Sequence, residues 1–162
     1  MARSTTETLV TQSVLDRVTA VEDWPTTRSQ SLRYFKDSLK RDLEWLLNTR
    51  QPPMPELMSY PLAKASVVNY GLPDITSLGL SSAADHRRLR VAIDTCLKNF
   101  EPRLMDVRVT LQGSDTADRR LRFHIEGNMK LDPAPEEISF DTVLELASGE
   151  YKEVAMREEL LE

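Results

Sequence analysis

The sequence is short of the residues that build several common kinds of protein. It has one cysteine, Cys96, in 162 residues. A single thiol excludes an intrachain disulfide framework and fits a reducing compartment. No apolar run approaches the roughly 18 residues of a membrane-spanning helix. No apolar segment follows the opening Met-Ala-Arg-Ser-Thr-Thr-Glu, as a secretory leader requires. Together these absences read as a soluble, cytoplasmic protein with no direct membrane insertion. Only 5 glycines are present. None falls in a GxGxxG or P-loop spacing, so no phosphate cradle and no cofactor is indicated. The two histidines, His86 and His124, lie on separate segments and offer no metal-ligand spacing. Basic charge is in deficit: 21 Lys and Arg stand against 26 Asp and Glu, a net of -5. That disfavours nonspecific nucleic-acid binding. Arg87, Arg88 and Arg90, with Arg119, Arg120 and Arg122, form local basic patches. No aromatic residues interleave them for base stacking, so solubility or an acidic protein partner is the better reading.

What is present organises itself around residues 81–112. Leu89, Ile93, Leu97 and Phe100 recur at spacings of three and four, with Cys96 beside them. This marks one face of a helix from Ser82 to Phe100. Ser82, with Asp85 three residues on, resembles a capping box. Pro102 disfavours helical geometry at Glu101 and ends the helix there. Beyond it Met105, Val107, Val109 and Leu111 alternate with Asp106, Arg108 and Thr110, the period of a strand with one buried face. A second amphipathic helix is predicted over Ser29–Asn48, from Leu32, Phe35, Leu39, Leu43 and Leu46. Its charged face, including Arg33, Lys36, Lys40, Arg41 and Glu44, reads as solvated surface, with a partner-binding face as the alternative. Val14, Leu15 and Val18 make one apolar turn that either packs on the domain or waits for a partner. Pro52, Pro53, Pro55 and Pro61 make residues 49–62 a loop.

The C-terminal half alternates as a β-meander with strands near 104–112, 119–131 and 136–147. Pairing Leu111 with Leu121, and Leu121 with Leu146, buries both apolar sets. It also sets Arg122 beside Glu145 and leaves strands one and three as edges. The expected fold is α+β, two layers, with helices packed on a small antiparallel β-meander sheet. At this length one domain is expected. Its limits are drawn at 13–151, between a flexible N-terminal tail (1–12) and an acidic C-terminal tail (152–162) read as a frayed helix from about Gly149.

Several stretches, in order, carry a resemblance. They are Ser13-Val14-Leu15-Asp16-Arg17-Val18, the run from Arg41 to Arg50, Val68-Asn69-Tyr70-Gly71-Leu72-Pro73-Asp74, Phe100-Glu101-Pro102-Arg103-Leu104 and Phe140-Asp141-Thr142-Val143-Leu144. Together they resemble the TssE family of type VI secretion baseplate subunits, similar to the small lysozyme-like wedge protein of contractile phage tails. The resemblance implies structural work. It points to wedge partners TssF, TssG and TssK, sheath partners TssB and TssC, and strand addition to the sheet by sheath arms. The family's Glu-Pro-Arg motif falls on Glu101, Pro102 and Arg103, where it supports the fold and meets the wedge's core helical bundle. From the residues alone, this motif is a helix stop with an internal ion pair, or a pair of charges offered to a partner.

A competing expectation is a peptidoglycan-degrading lysozyme-like hydrolase, with Glu101 as acid and Asp106 or Asp74 as second carboxylate. Nothing in their spacing demands it, so no catalytic residue is assigned. His124 reads as a solvated residue on the polar face of strand two. Cys96 reads as a small core residue.

Overall fold

The computed structural model of the chain describes residues 8–19, 24–74, 82–115, 120–145 and 150–157. Its helices are α1 (Val14–Thr19), α2 (Arg28–Asn48), α3 (Pro61–Lys64) and α4 (Ala83–Phe100). Its strands are β1 (Leu104–Asp115), β2 (Arg120–Met129), β3 (Glu136–Glu145) and β4 (Glu150–Arg157). The strands form one antiparallel sheet in the order β1-β2-β3-β4. This is the expected α+β arrangement, helices on one face of a meander.

The two long helices form where the apolar spacing places them, and their starts are fixed by polar side chains. Thr27 accepts from the Gln30 backbone N–H, while the Gln30 side chain takes the Thr27 N–H, a reciprocal cap. Ser82 accepts from the Asp85 N–H at 3.2 Å. Leu39, Leu43, Leu46 and Leu47 of α2 and Leu89, Ile93, Cys96 and Leu97 of α4 are buried. They meet Val109, Phe123, Ile125, Phe140 and Leu144 of the sheet in one cluster. Each large side chain so enclosed contributes about 1.5–3 kcal/mol of transfer free energy. The proline-rich loop is not structureless. It carries a 3-10 turn at Pro55–Ser59 and the short helix α3, each with proline in its first turn. Ile75, Leu78 and Leu80, the apolar residues ahead of α4, lie outside the described residues.

Three expectations are corrected. The segment read as a frayed acidic helix is strand β4, paired with β3 from Glu145↔Glu150 to Ser139↔Arg157. The edges are therefore β1 and β4, not β1 and β3. The sheet extends past residue 151, and on the other side Val10 is buried and donates its N–H to Ser31 Oγ at 3.0 Å, well before residue 13. Finally, the registers differ by two residues. Leu111 faces Phe123, Val109 faces Ile125 and Leu121 faces Leu144. A two-residue offset keeps every apolar side chain on the same face, so hydrophobic pattern cannot separate the two registers. The offset puts Arg120, not Arg122, opposite Glu145, with their side chains 3.4 Å apart.

Candidate functional site

The helix-to-strand corner carries a connected cluster of charged and polar side chains. Glu101 ends α4 and is 4% exposed. Arg103 Nε donates to Glu101 Oε1 and Nη2 to Oε2, both at 2.6 Å. This fork-on-carboxylate geometry matches the planar guanidinium. Arg103 Nη2 also donates to Asp42 Oδ2 at 2.8 Å, reaching across to α2. On α2, Arg41 donates to Asp42 Oδ1 at 2.8 Å. Its other Nη forms an ion pair at 2.8 Å with Asp16, a residue of α1 that is 1% exposed. Ser13 and Ser38 both donate to Asp16 Oδ2. Five charges thus alternate in sign, Asp16, Arg41, Asp42, Arg103, Glu101, and tie α1, α2 and the α4–β1 corner together. The Arg41 guanidinium lies 4.9 Å over the Trp45 ring and that of Arg103 5.7 Å over Phe35.

Electrostatics follow the geometry. Burial pushes the Asp16 carboxyl up. The hydrogen bonds from Ser13, Ser38 and Arg41, with the charge of Arg41, overrule burial and hold it below the usual range. Burial works against the charge on Arg103, but the bonds and charges of Glu101 and Asp42 reverse that and hold it above its ordinary value. Arg41 is likewise raised by Asp42 and Asp16 against the cost of burial. The cluster is a locked ionic lattice in which each charge faces one of opposite sign.

The corner opens onto a hollow of about 380 Å³ lined by Leu15, Trp45, Tyr70 and Phe100 together with Glu101, Pro102 and Arg103. Helix α1 is held down by Asp16, so its apolar residues point outward: Val14 and Val18 are 76% exposed and Leu15 is 53% exposed. Trp45 is exposed beside them.

The sequence-predicted site residues are placed as follows. Glu101 and Arg103 pair internally, and Pro102 is exposed between them. The hollow that Glu101 lines contains neither Asp74 nor Asp106. Asp106 sits in a bulge of β1 at φ 54° and accepts from Asn128 at 3.3 Å. Both Glu101 oxygens are engaged by Arg103. His124 is not solvated as expected: its side chain is 13% exposed and pairs with Asp141 at 2.6 Å and Glu126 at 3.2 Å on the outer sheet face. Among the described residues no group of His, Cys, Asp and Glu is arranged to hold a metal. Cys96 is a core residue. Burial pushes its thiol up to about 12, and the thiol donates to the Gly71 carbonyl. Among the described residues no helix is long and apolar enough to cross a membrane.

The family profile of the baseplate wedge protein gp25 matches residues 33–134, well over half of the chain. The chain belongs to the gp25 baseplate wedge family. The matched span runs from α2 through the Glu101–Arg103 corner to the turn after β2, so it contains most of the ionic lattice and the core beneath it. Membership gives the chain a structural role in a baseplate, and the TssE resemblance read from its motifs falls within this same family. No curated protein matches the chain. Sequence reasoning missed Asp16, Ser38 and Asp42 as partners of the corner. Asp16 and the Arg41-Asp42 pair lie within stretches that carried the resemblance, but a charge pattern on one helix cannot show which distant charge it meets.

Proposed function

We propose that this chain is the wedge subunit of a type VI secretion baseplate. In this reading it joins TssF, TssG and TssK and initiates the contractile sheath by accepting strands from TssB and TssC. The observation that carries it is the corner itself. The paired ionic lattice ties α1 to α2 and leaves Val14, Leu15, Val18 and Trp45 exposed, with Leu15 and Trp45 lining the hollow at the corner. A rigid polar frame under an unpaired apolar surface is suited to docking a helix of a partner bundle. It is ill suited to hydrolysis, because Glu101, the buried carboxylate at the hollow, is held by an arginine fork.

Co-expression with TssF, TssG and TssK tests the reading. The parent chain is expected to co-purify with them, and Leu15→Glu, which changes an exposed residue, to keep its melting temperature and lose the complex. A Leu15→Glu variant that assembles normally overturns the assigned face. The hydrolase reading is tested with purified peptidoglycan. No muropeptide release is expected, and release abolished by Glu101→Gln replaces the structural reading with an enzymatic one.

A further inference from the structure

The two borders of the sheet are chemically unequal. Tyr151 of β4 has its main chain turned away from β3: its N–H donates to Asn48 Oδ1 at 2.8 Å and its carbonyl accepts from Asn48 Nδ2 at 3.2 Å. One carboxamide at the end of α2 thus occupies both outward groups of that residue. Just beyond, Asp141 faces Ala155 and Val143 faces Lys152, so Glu153 and Val154 together oppose Thr142 in a bulge. A plugged position followed by a bulge is how an edge is made unreceptive.

The same geometry fixes the other border. Main-chain polar groups alternate sides along a strand. Tyr151 faces Leu144, so Leu144 directs its groups to β2, where it faces Leu121. Register between β2 and β3 is unbroken, so Leu121, Phe123 and Ile125 bond β3, and Arg122, His124 and Glu126 bond β1. Thr110 and Arg108, opposite His124 and Glu126, use their groups on β2. Val109 and Leu111 are left with N–H and C=O directed outward. Arg108–Leu111 runs without interruption between the bulge at Asp106 and the one after Leu111. A groove of about 520 Å³ lies along it, between Asp106–Val109 and the α4 residues Arg90, Val91, Asp94 and Lys98. Val91 is 52% exposed there. Lys98 is paired with Asp94, whereas Arg90 and Arg108 are exposed and hold no ion pair among the described residues.

We propose that the outer edge of β1 is the receiving edge, and that it takes an extended sheath-subunit arm bearing carboxylates. The inference rests on the strand-addition reading above and adds to it the side and the charge of the incoming segment. Val109 and Leu111 supply the main-chain ladder, Val91 supplies an apolar contact, and Arg90 and Arg108 select acidic side chains.

Residue-resolved amide exchange on the full chain, alone and with co-purified TssB–TssC, tests this. Alone, Arg108 and Thr110 exchange slowly while Val109 and Leu111 exchange fast. With the sheath subunits, Val109 and Leu111 slow by about tenfold or more. Protection gained only in residues 152–157 overturns the edge and leaves strand addition standing. No complex at all overturns both. Protection of Val109 and Leu111 that appears in the isolated chain on raising its concentration assigns the edge to a second copy and overturns the sheath occupant. Arg90→Glu with Arg108→Glu, both at exposed positions, is expected to weaken the complex about tenfold at low salt. An unchanged affinity overturns the acidic occupant.

Discussion

At the scale of single residues, the corner is held by charge pairs whose members cannot be removed one at a time. Arg103→Ala leaves Glu101 and Asp42 without their shared cation in a largely enclosed place. We expect a loss of about 3–5 kcal/mol, read by denaturant unfolding, with Arg103→Lys recovering only part because it cannot fork. Asp16 gives the cluster a pH signature. Its folded carboxyl lies below the ordinary value, so the folded state takes up its proton at lower pH than the unfolded chain. The stability it contributes is complete above the unfolded value and is lost as pH falls through the folded one. Melting temperatures measured from about pH 6 down to about pH 3 should fall more steeply for the parent than for Asp16→Asn. Cys96 is predicted to be inert: a thiol pushed up to about 12 and enclosed in the core should resist a thiol-specific reagent at neutral pH until the chain is unfolded.

At the scale of elements, the loop between α2 and α4 is anchored by one glycine. Gly71 has φ +100°, and a Cβ there would stand 2.3 Å from the Thr49 carbonyl oxygen. Thr49 and Leu72 are stitched by a 2.8 Å main-chain bond, and Gln51 returns another to Leu72. Gly71→Ala is therefore expected to destabilise by about 2 kcal/mol or more, with the chevron showing where along folding the loop closes. The sequence announced α2, α4 and the first three strands through period alone. It was silent on β4. Tyr151-Lys152-Glu153-Val154 has weak alternation and strong charge, and its strand state is decided by β3 lying alongside and by Asn48. It was silent too on the Asp16–Arg41–Asp42–Arg103 chain, because a contact such as Arg103 to Asp42, 61 positions apart, leaves no local signal.

At the scale of the whole molecule, the sheet is one cooperative body whose last strand is structural. Tyr151 is 4% exposed and belongs to the core cluster. Ending the chain at Gly149 removes it and strips β3 of its neighbour, so the truncated protein should melt well below the parent and elute as aggregate on size exclusion. Asn48→Ala is the finer version of this experiment. It should leave the core intact, release the Tyr151 amide to fast exchange, and increase self-association measured by light scattering.

Asn48 is a side chain impersonating a peptide group. By filling the place a fifth strand would take on one flank, it gives the sheet a start and leaves it a finish. Where it takes on strands as proposed above, a body of that kind is lengthened from one flank. Whatever is built upon it inherits a polarity, fixed by a single amide at the end of a helix before the first neighbour arrives.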